Sequence, residues 1–125
     1  MKPGRSLLPP EDALERVAAA AARDPLAVDE CRRRLLPLRR ADMERSSDLE
    51  LTLRTYYECG ASVSQTAQAL FLHRNSVRYR LDRVRILLGV DIDDPQVSAA
   101  LLLAFAIDAA WRALAEQNHA AQRAQ

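Results

Sequence analysis

Two helical patterns follow each other between residues 62 and 88, and this arrangement restricts the fold more than any other feature of the chain. The first, from about residue 63 to residue 70, is two turns long, and its small Ala67 would let a second helix cross closely at a steep angle. Three residues later the second pattern begins, with apolar residues at the 4-3-4 spacing of a helix that buries one side: Val77, Leu81, Val84 and Leu88. Two such helices joined by a tight corner predict a helix-turn-helix.

The residues around the corner support this prediction. Ser62-x-x-Gln65 has the spacing of a capping box at the start of the first helix, and His73 stands where the second helix needs its N-cap. Phe71 occupies the corner itself, where helix-turn-helix proteins usually have glycine. A left-handed backbone would be costly for phenylalanine, so the corner could be built in another way.

The second helix carries most of the excess positive charge of the chain. Between residues 71 and 89 there are five arginines and one acidic residue, Asp82, which is a net charge of +4, whereas the whole chain has +1. The face opposite the apolar stripe holds Asn75, Tyr79, Asp82 and Ile86, flanked by Arg74, Arg78 and Arg83. Such side chains suit base edges and phosphates, although a charged stripe alone is more often a solvated face.

Composition places this motif in a small helical protein. A chain of 125 residues with 49% hydrophobic residues, few aromatic residues and three glycines predicts one all-α domain. Cys31 and Cys59 have no metal-site or disulfide spacing, so we expect reduced thiols in a soluble, cytoplasmic protein. The longest apolar run, residues 99–107, is far shorter than the roughly 20 residues that span a bilayer, and no signal peptide is evident.

The N-terminal part is predicted to contain a poorly ordered lead-in, residues 1–10, and two helices. The first helix covers residues 11–23. Asp24-Pro25 has the pattern of an N-cap followed by proline, and begins a second helix over residues 26–36 that Pro37 would stop.

Five arginines form a basic run along and beyond this second helix: Arg32, Arg33, Arg34, Arg39 and Arg40. They could contact a DNA backbone. A solvated face or a linker is the commoner explanation of such runs, and we favour it here.

The helix in front of the motif is predicted over residues 48–59. Ser47-x-x-Glu50 has capping-box spacing at its start. Tyr56 and Tyr57 could serve as stacking platforms, but tyrosines at core spacing are more often packed, and we favour packing.

A long C-terminal helix should begin at Asp94-Pro95 and run to about Glu116, followed by a frayed polar tail, residues 118–125, in which His119 is solvated. Every residue from 99 to 107 is apolar, and a domain this small has little room to bury such a run. We therefore expect a homodimer contact that includes Leu102, Phe105 and Ile107.

No catalytic pattern is present. His73 has no nucleophile pattern beside it, and there is neither a glycine-rich phosphate loop nor an HExxH motif. The acidic group Asp91, Asp93 and Asp94 lacks the glycine and glutamate of a calcium loop, so helix capping explains it better. We predict a non-enzyme without cofactor, metal or small-molecule site.

The segment from about Leu35 to Leu114 resembles the C-terminal DNA-binding domain of PucR/CdaR-type bacterial transcriptional regulators, whose helix-turn-helix is similar to that of Fis. The most specific matches are Leu53-x-x-Tyr56, Ala67-x-x-Leu70, the block HRNSVRYRL from His73 to Leu81, and Leu88-Gly89 followed by Asp94-Pro95.

This resemblance implies a sequence-specific regulator of transcription that binds double-stranded DNA through a domain at residues 47–117, after a helical segment or linker at 1–46. The helix that starts near Arg74 would enter the major groove, with base contacts from Arg74, Asn75, Arg78 and Tyr79. Phosphate contacts would come from Gln65, His73, Ser76, Arg80 and Arg83. Since a single helix-turn-helix usually gains specificity by pairing, we expect a homodimer.

Two alternatives stay open. Regulators of this family generally have a sensory region ahead of the DNA-binding domain, for which residues 1–46 are too few, so the chain is expected to be either a piece of a longer regulator or a short relative. The other alternative is a helical adaptor that binds a protein through residues 99–107, in which the helix-turn-helix is only structural.

Overall fold

The computed structural model describes residues 10–124, which form six helices and no strand. The prediction of an all-α fold is therefore confirmed. The predicted lead-in lies outside the described residues, apart from Pro10, which begins the first helix. The helices are α1 (Pro10–Ala21), α2 (Pro25–Arg45), α3 (Leu49–Glu58), α4 (Val63–Leu70), α5 (Arg74–Leu88) and α6 (Pro95–Arg123).

The helices share one hydrophobic core. α6 packs along α1 and α2 and contacts α3, while α3, α4 and α5 pack on one another and α2 bridges the two groups. The boundary predicted near residue 47 falls at the turn between α2 and α3, two helices that share this core. α2 contributes four buried side chains to it: Val28, Cys31, Leu35 and Leu38.

Pro37 does not end the second helix, so that prediction is wrong. α2 starts as predicted, with the Asp24 carboxylate accepting a hydrogen bond from the Leu26 amide (3.0 Å), but it continues through Pro37 to Arg45. An interior proline removes one helical hydrogen bond and costs about 3 kcal/mol or more. Leu35 and Leu38 are completely buried on either side of it, and their tertiary contacts hold the helix together.

The capping box predicted at Ser47 is also absent from the described turn. The carboxylate of Asp42, in the last turn of α2, accepts hydrogen bonds from the amides of Leu49 (2.7 Å) and Glu50 (3.1 Å) and from the Ser47 hydroxyl (3.0 Å). Because α2 is longer than predicted, it brings this carboxylate to the start of α3, where unpaired amide groups need an acceptor.

α6 begins as predicted and extends further. Asp94 accepts hydrogen bonds from the amides of Gln96 (3.1 Å) and Val97 (3.2 Å), and Pro95 occupies the first helical position. The helix passes the predicted end near Glu116 and continues to Arg123, so the polar tail is helical there, with exposed side chains.

The apolar run of α6, which we expected to be hard to bury in so small a domain, is buried within the chain only in part. α1 and α2 cover one side of it, leaving Phe105 8% and Ile107 4% exposed, while Leu102 is half-buried. By length and composition alone α6 could cross a membrane. Leu101, Ala104 and Ile107 belong to the hydrophobic core, so one side of α6 packs within the chain.

Candidate nucleic-acid interface

α4 starts as the serine at its N-cap predicts. The Ser62 hydroxyl accepts a hydrogen bond from the Gln65 amide (3.1 Å), which stabilises the first turn. Thr66 is completely buried and donates its hydroxyl hydrogen to the Ser62 carbonyl (2.7 Å). Ala67 is buried where α4 meets α5, in agreement with the role predicted from its size.

The corner uses the left-handed conformation in spite of its phenylalanine. Phe71 has φ +56°, and the Leu72 amide donates to the Ala67 carbonyl (2.9 Å), as in a helix end normally closed by glycine. Leu72 packs against the core, whereas Phe71 is 96% exposed.

His73 is the N-cap of α5, as predicted. Its Nδ1 accepts a hydrogen bond from the Asn75 amide (3.1 Å). Together with the corner, this cap determines where α5 begins and therefore which side chains stand at its N-terminus.

The apolar stripe of α5 faces the core, as its spacing predicts. α5 packs against α2, α3 and α4. Three of the four stripe residues are fully buried and Leu88 is partly buried; the three are Val77, Leu81 and Val84.

The side chains predicted to contact bases form one exposed group at the start of α5: Arg74, Asn75, Arg78 and Tyr79. Arg74 and Arg78 make no ion pair with any residue between 12 and 124. Tyr79 is 64% exposed although its ring is largely apolar. The group thus combines unneutralised guanidinium groups with an amide and an aromatic ring, all accessible to a ligand.

The side chains predicted to contact phosphates are less uniform. Gln65, His73 and Ser76 are exposed, whereas Arg80 and Arg83 are half-buried. Arg80 donates a hydrogen bond to the Thr52 hydroxyl of α3 (3.3 Å). This contact orients its guanidinium without neutralising its charge.

Arg85, the last arginine of α5, already forms two ion pairs. It pairs with Asp82 (2.9 Å) one turn earlier and with Asp93 (3.2 Å) in the loop before α6. Its charge is therefore compensated within the chain.

Tyr56 and Tyr57 are packed, as favoured from their spacing. Their hydroxyls donate to the Asp93 carboxylate (2.7 Å) and to the Ile92 carbonyl (2.9 Å), which ties α3 to the loop behind α5. Burial raises the pKa of each tyrosine to about 12, helped by the hydrogen bond to Asp93 for Tyr56 and by the negative charge of Asp93 for Tyr57. These hydroxyls stay protonated and act as structural donors.

The basic run of α2 differs from α5 because four of its five arginines, all except Arg40, have partners within the chain. Arg33 pairs with Asp29 (2.9 Å) and Arg34 with Glu30 (3.0 Å), while the Arg32 guanidinium lies 4.6 Å from the ring centroid of Trp111. Arg32, Arg33 and Arg34 are exposed, which fits the favoured interpretation of this part of the run as a solvated face.

Arg39, in the same run, is part of the core. It pairs with Asp108 of α6 (2.7 Å) and with Glu50 of α3 (2.7 Å), and Asp108, only 5% exposed, also accepts from Arg112 (3.0 Å). Burial alone would lower the pKa of Arg39, but its hydrogen bonds to the two carboxylates outweigh this and raise it. Asp108, an acidic residue within the largely apolar α6, is the feature of the sequence that could have indicated this network.

The remaining polar groups have structural roles. Asp91 accepts from the Asp93 amide (3.0 Å), Asp93 holds Tyr56 and Arg85, and Asp94 caps α6, so capping and tethering explain the three aspartates. Among residues 12–124, no three His, Cys, Asp or Glu side chains are placed to hold a metal ion. Both cysteines are free thiols, and burial raises the pKa of Cys31.

One known protein family matches this arrangement of helices. The chain matches the PucR C-terminal helix-turn-helix domain over residues 49–107, which covers α3 to α5 and the first half of α6. Residues 49–107 are a PucR-type helix-turn-helix domain. α1 and α2 lie outside this PucR-type domain, although they share its core.

Two curated proteins with related segments are named as regulators. The purine catabolism regulatory protein of Bacillus subtilis is 43% identical over 53 residues, and the carbohydrate diacid regulator of Escherichia coli is 32% identical over 66 residues. These alignments cover 42% and 53% of the present chain but only 10% and 17% of the relatives, so the chain spans a small part of their length. No solved structure matches the chain.

Proposed function

We propose that this chain is a sequence-specific DNA-binding transcriptional regulator, or the DNA-binding part of one, which inserts the start of α5 into the major groove. The observation that carries the proposal is the exposed group at the start of α5, whose Arg74 and Arg78 have no acidic partner within residues 12–124. A helix whose inner stripe is buried and whose N-terminus is capped holds these side chains at fixed positions. Such preorganised cations suit a polyanion.

Base contacts are assigned to the four exposed residues at the start of α5. Arginine can bond guanine bidentately and asparagine can bond adenine in the same way, which supports Arg74, Arg78 and Asn75 as determinants of sequence preference. Tyr79 offers an exposed ring one position after Arg78.

Phosphate contacts are assigned to residues around this group. Gln65 lies at the N-terminus of α4, where amide groups favour an anion, and His73 and Ser76 flank the start of α5. Arg80 and Arg83 stand farther along α5. The hydrogen bond from Arg80 to Thr52 would hold its guanidinium in place while leaving its charge available.

A homodimer is part of the proposal, because two helix-turn-helix units on one face of the duplex would contact two half-sites about 34 Å apart. Of the three residues predicted for the dimer contact, Leu102 is half-buried and has accessible side-chain surface for a second subunit. Phe105 and Ile107 are packed within the chain. Leu102 lies in a groove between α1, α3 and α6 that also includes Ala106 and Ala109. A DNA-binding regulator of bacterial type would work in the cytoplasm.

Binding of fluorescent random-sequence duplex DNA at two salt concentrations tests the proposal. The variant Arg74→Ala/Arg78→Ala is compared with Arg33→Ala/Arg34→Ala, which removes the same charge from exposed arginines of α2. We expect salt-dependent binding that the α5 variant weakens strongly and the α2 variant leaves nearly unchanged.

Equal losses in both variants would mean that only net charge matters, and would overturn the assignment of α5. If folded wild-type protein does not bind at low salt, DNA binding is excluded and the adaptor hypothesis takes its place. Circular dichroism of all variants shows whether they are folded.

A further inference from the structure

Phe71 combines two unfavourable features in the isolated protein. It has φ +56°, a left-handed conformation that is a genuine outlier for a bulky residue, and its side chain is 96% exposed. Three other non-glycine residues between 10 and 124 have positive φ, and all have small side chains: Ser46, Asp48 and Ala61.

The fold itself does not use the phenyl ring. The corner is closed by backbone hydrogen bonds to Ala67 and Gln68 and by the packing of Leu72, to which the Phe71 side chain contributes nothing. Glycine would meet the same need, as it does at Gly60 and Gly89, both of which have positive φ after a helix.

The surroundings of the ring indicate what it can meet. Phe71 lines a shallow cleft together with Gln68 and Arg74, so it stands beside the first of the residues assigned to base contacts. It precedes α5 by three residues. When the N-terminus of a recognition helix enters the major groove, the turn before it lies at the rim of that groove.

We propose that Phe71 is a specificity-determining residue that contacts the C5-methyl group of a thymine at the edge of each half-site. Apolar side chains, including phenylalanine, recognise this methyl group in the major groove. The contact would remove both the ring and the methyl group from water, and it rests on the proposed DNA-binding function.

A nucleic acid fits this surface better than a protein partner. The ring is the one fully exposed apolar side chain of its cleft, since Ala67 is buried and Leu72 partly buried. The core of a protein interface is instead typically depleted of charge and contiguous in apolar area. Gln68, His73 and Arg74 all surround the ring with hydrogen-bonding groups or positive charge.

Selection from random 20-base-pair duplexes, with wild type beside Phe71→Gly, tests this contact. Glycine suits the left-handed corner, so the variant should fold and should melt a few degrees higher. We expect wild type to enrich a thymine at one position of each half-site and Phe71→Gly to lose that preference while it keeps the rest of the motif.

Replacing that thymine by deoxyuridine removes only the methyl group. We expect wild-type affinity to fall about fourfold per methyl group, as for loss of one buried methyl, and the affinity of Phe71→Gly to stay unchanged. Phe71→Ala, which removes the ring but keeps a Cβ in the strained corner, should behave like Phe71→Gly toward the two duplexes.

Identical motifs for wild type and Phe71→Gly, or an equal effect of deoxyuridine on both, would overturn the methyl contact while leaving DNA binding by α5 intact. Absence of any binding by folded wild type at low salt would overturn both. A ring that serves a protein partner would leave both DNA measurements unaffected by the substitution.

Discussion

The arginines of α2 and those of α5 have the same charge and opposite surroundings. In α2, Arg33 and Arg34 pair with acidic residues one turn away, and Arg39 is held by two carboxylates from other helices. In α5, Arg74 and Arg78 have no acidic partner within residues 12–124. In the basic run of α2, Arg40 is also exposed without an ion pair among residues 12–124, so the difference is that α5 groups two such arginines at the start of a helix.

This difference shows why a run of cations is a weak indicator of a binding site. A guanidinium that already bonds a carboxylate must lose that partner before it can neutralise a phosphate, so its contribution to binding is small. An unpaired guanidinium on a rigid helix binds without such a loss. The comparison therefore predicts that the two groups separate in experiments on folding and on DNA binding.

The largest effect is expected for Arg39→Ala, which leaves Asp108 buried with only the exposed Arg112 as its partner. Breaking a buried pair by removing one member is strongly destabilising, and we expect the free energy of unfolding to fall by about 3 kcal/mol. Urea denaturation measures this. DNA affinity of the folded fraction should not change.

Arg112→Ala is the matched control, because Arg112 binds the same carboxylate from an exposed position. Its loss should cost roughly 0.5 kcal/mol. Equal effects of the two substitutions would show that burial of the network does not determine its strength.

Arg78→Ala should have the opposite effect to Arg39→Ala: a small change in stability and a large loss of DNA affinity. The side chain is exposed and unpaired within the described chain, so the free energy of unfolding should change by less than about 0.5 kcal/mol. Affinity for the selected site should fall by about 1–3 kcal/mol, with relaxed preference at one base pair. Site selection by the variant measures this, and an unaltered motif would remove Arg78 from the base-contacting group.

Arg83→Ala should alter the salt dependence more than the sequence preference. If Arg83 neutralises one phosphate, the slope of log K on log salt should become less steep by about 0.9. Arg33→Ala is its control, since it removes the same charge from a paired arginine of α2. A similar change of slope in both variants would break the distinction between the two helices.

The smallest effect is expected for Arg85→Ala, which tests the comparison within α5 itself. Arg85 is paired with Asp82 and Asp93, so it should behave like an arginine of α2. We expect a loss of roughly 0.5 kcal/mol in unfolding free energy, because both carboxylates are substantially exposed, and no change in salt slope. A reduced slope would show that surface pairing does not withdraw a cation from DNA.

Local features of the chain could be predicted because they depend on residues within one or two helical turns. The caps at Ser62, His73 and Asp94 and the buried stripe of α5 follow from side chains that lie next to the groups they serve. These features were sufficient for the helix-turn-helix and for the group of exposed residues at the start of α5.

Features that join distant parts of the chain were missed. No local pattern shows that Leu35 and Leu38 hold α2 together across Pro37, or that Asp42 replaces Ser47 as the cap of α3. Both errors arose because a local rule was overruled by contacts between helices.

The sequence by itself therefore determined the helical class, the helix-turn-helix and the concentration of arginine in α5. The tertiary structure alone decided which arginines are neutralised, that Phe105 and Ile107 are buried within one chain, and that the Phe71 ring stands free at the corner. The physical reason is that charge and polarity belong to each residue, whereas pairing and burial depend on which distant residues the fold brings together.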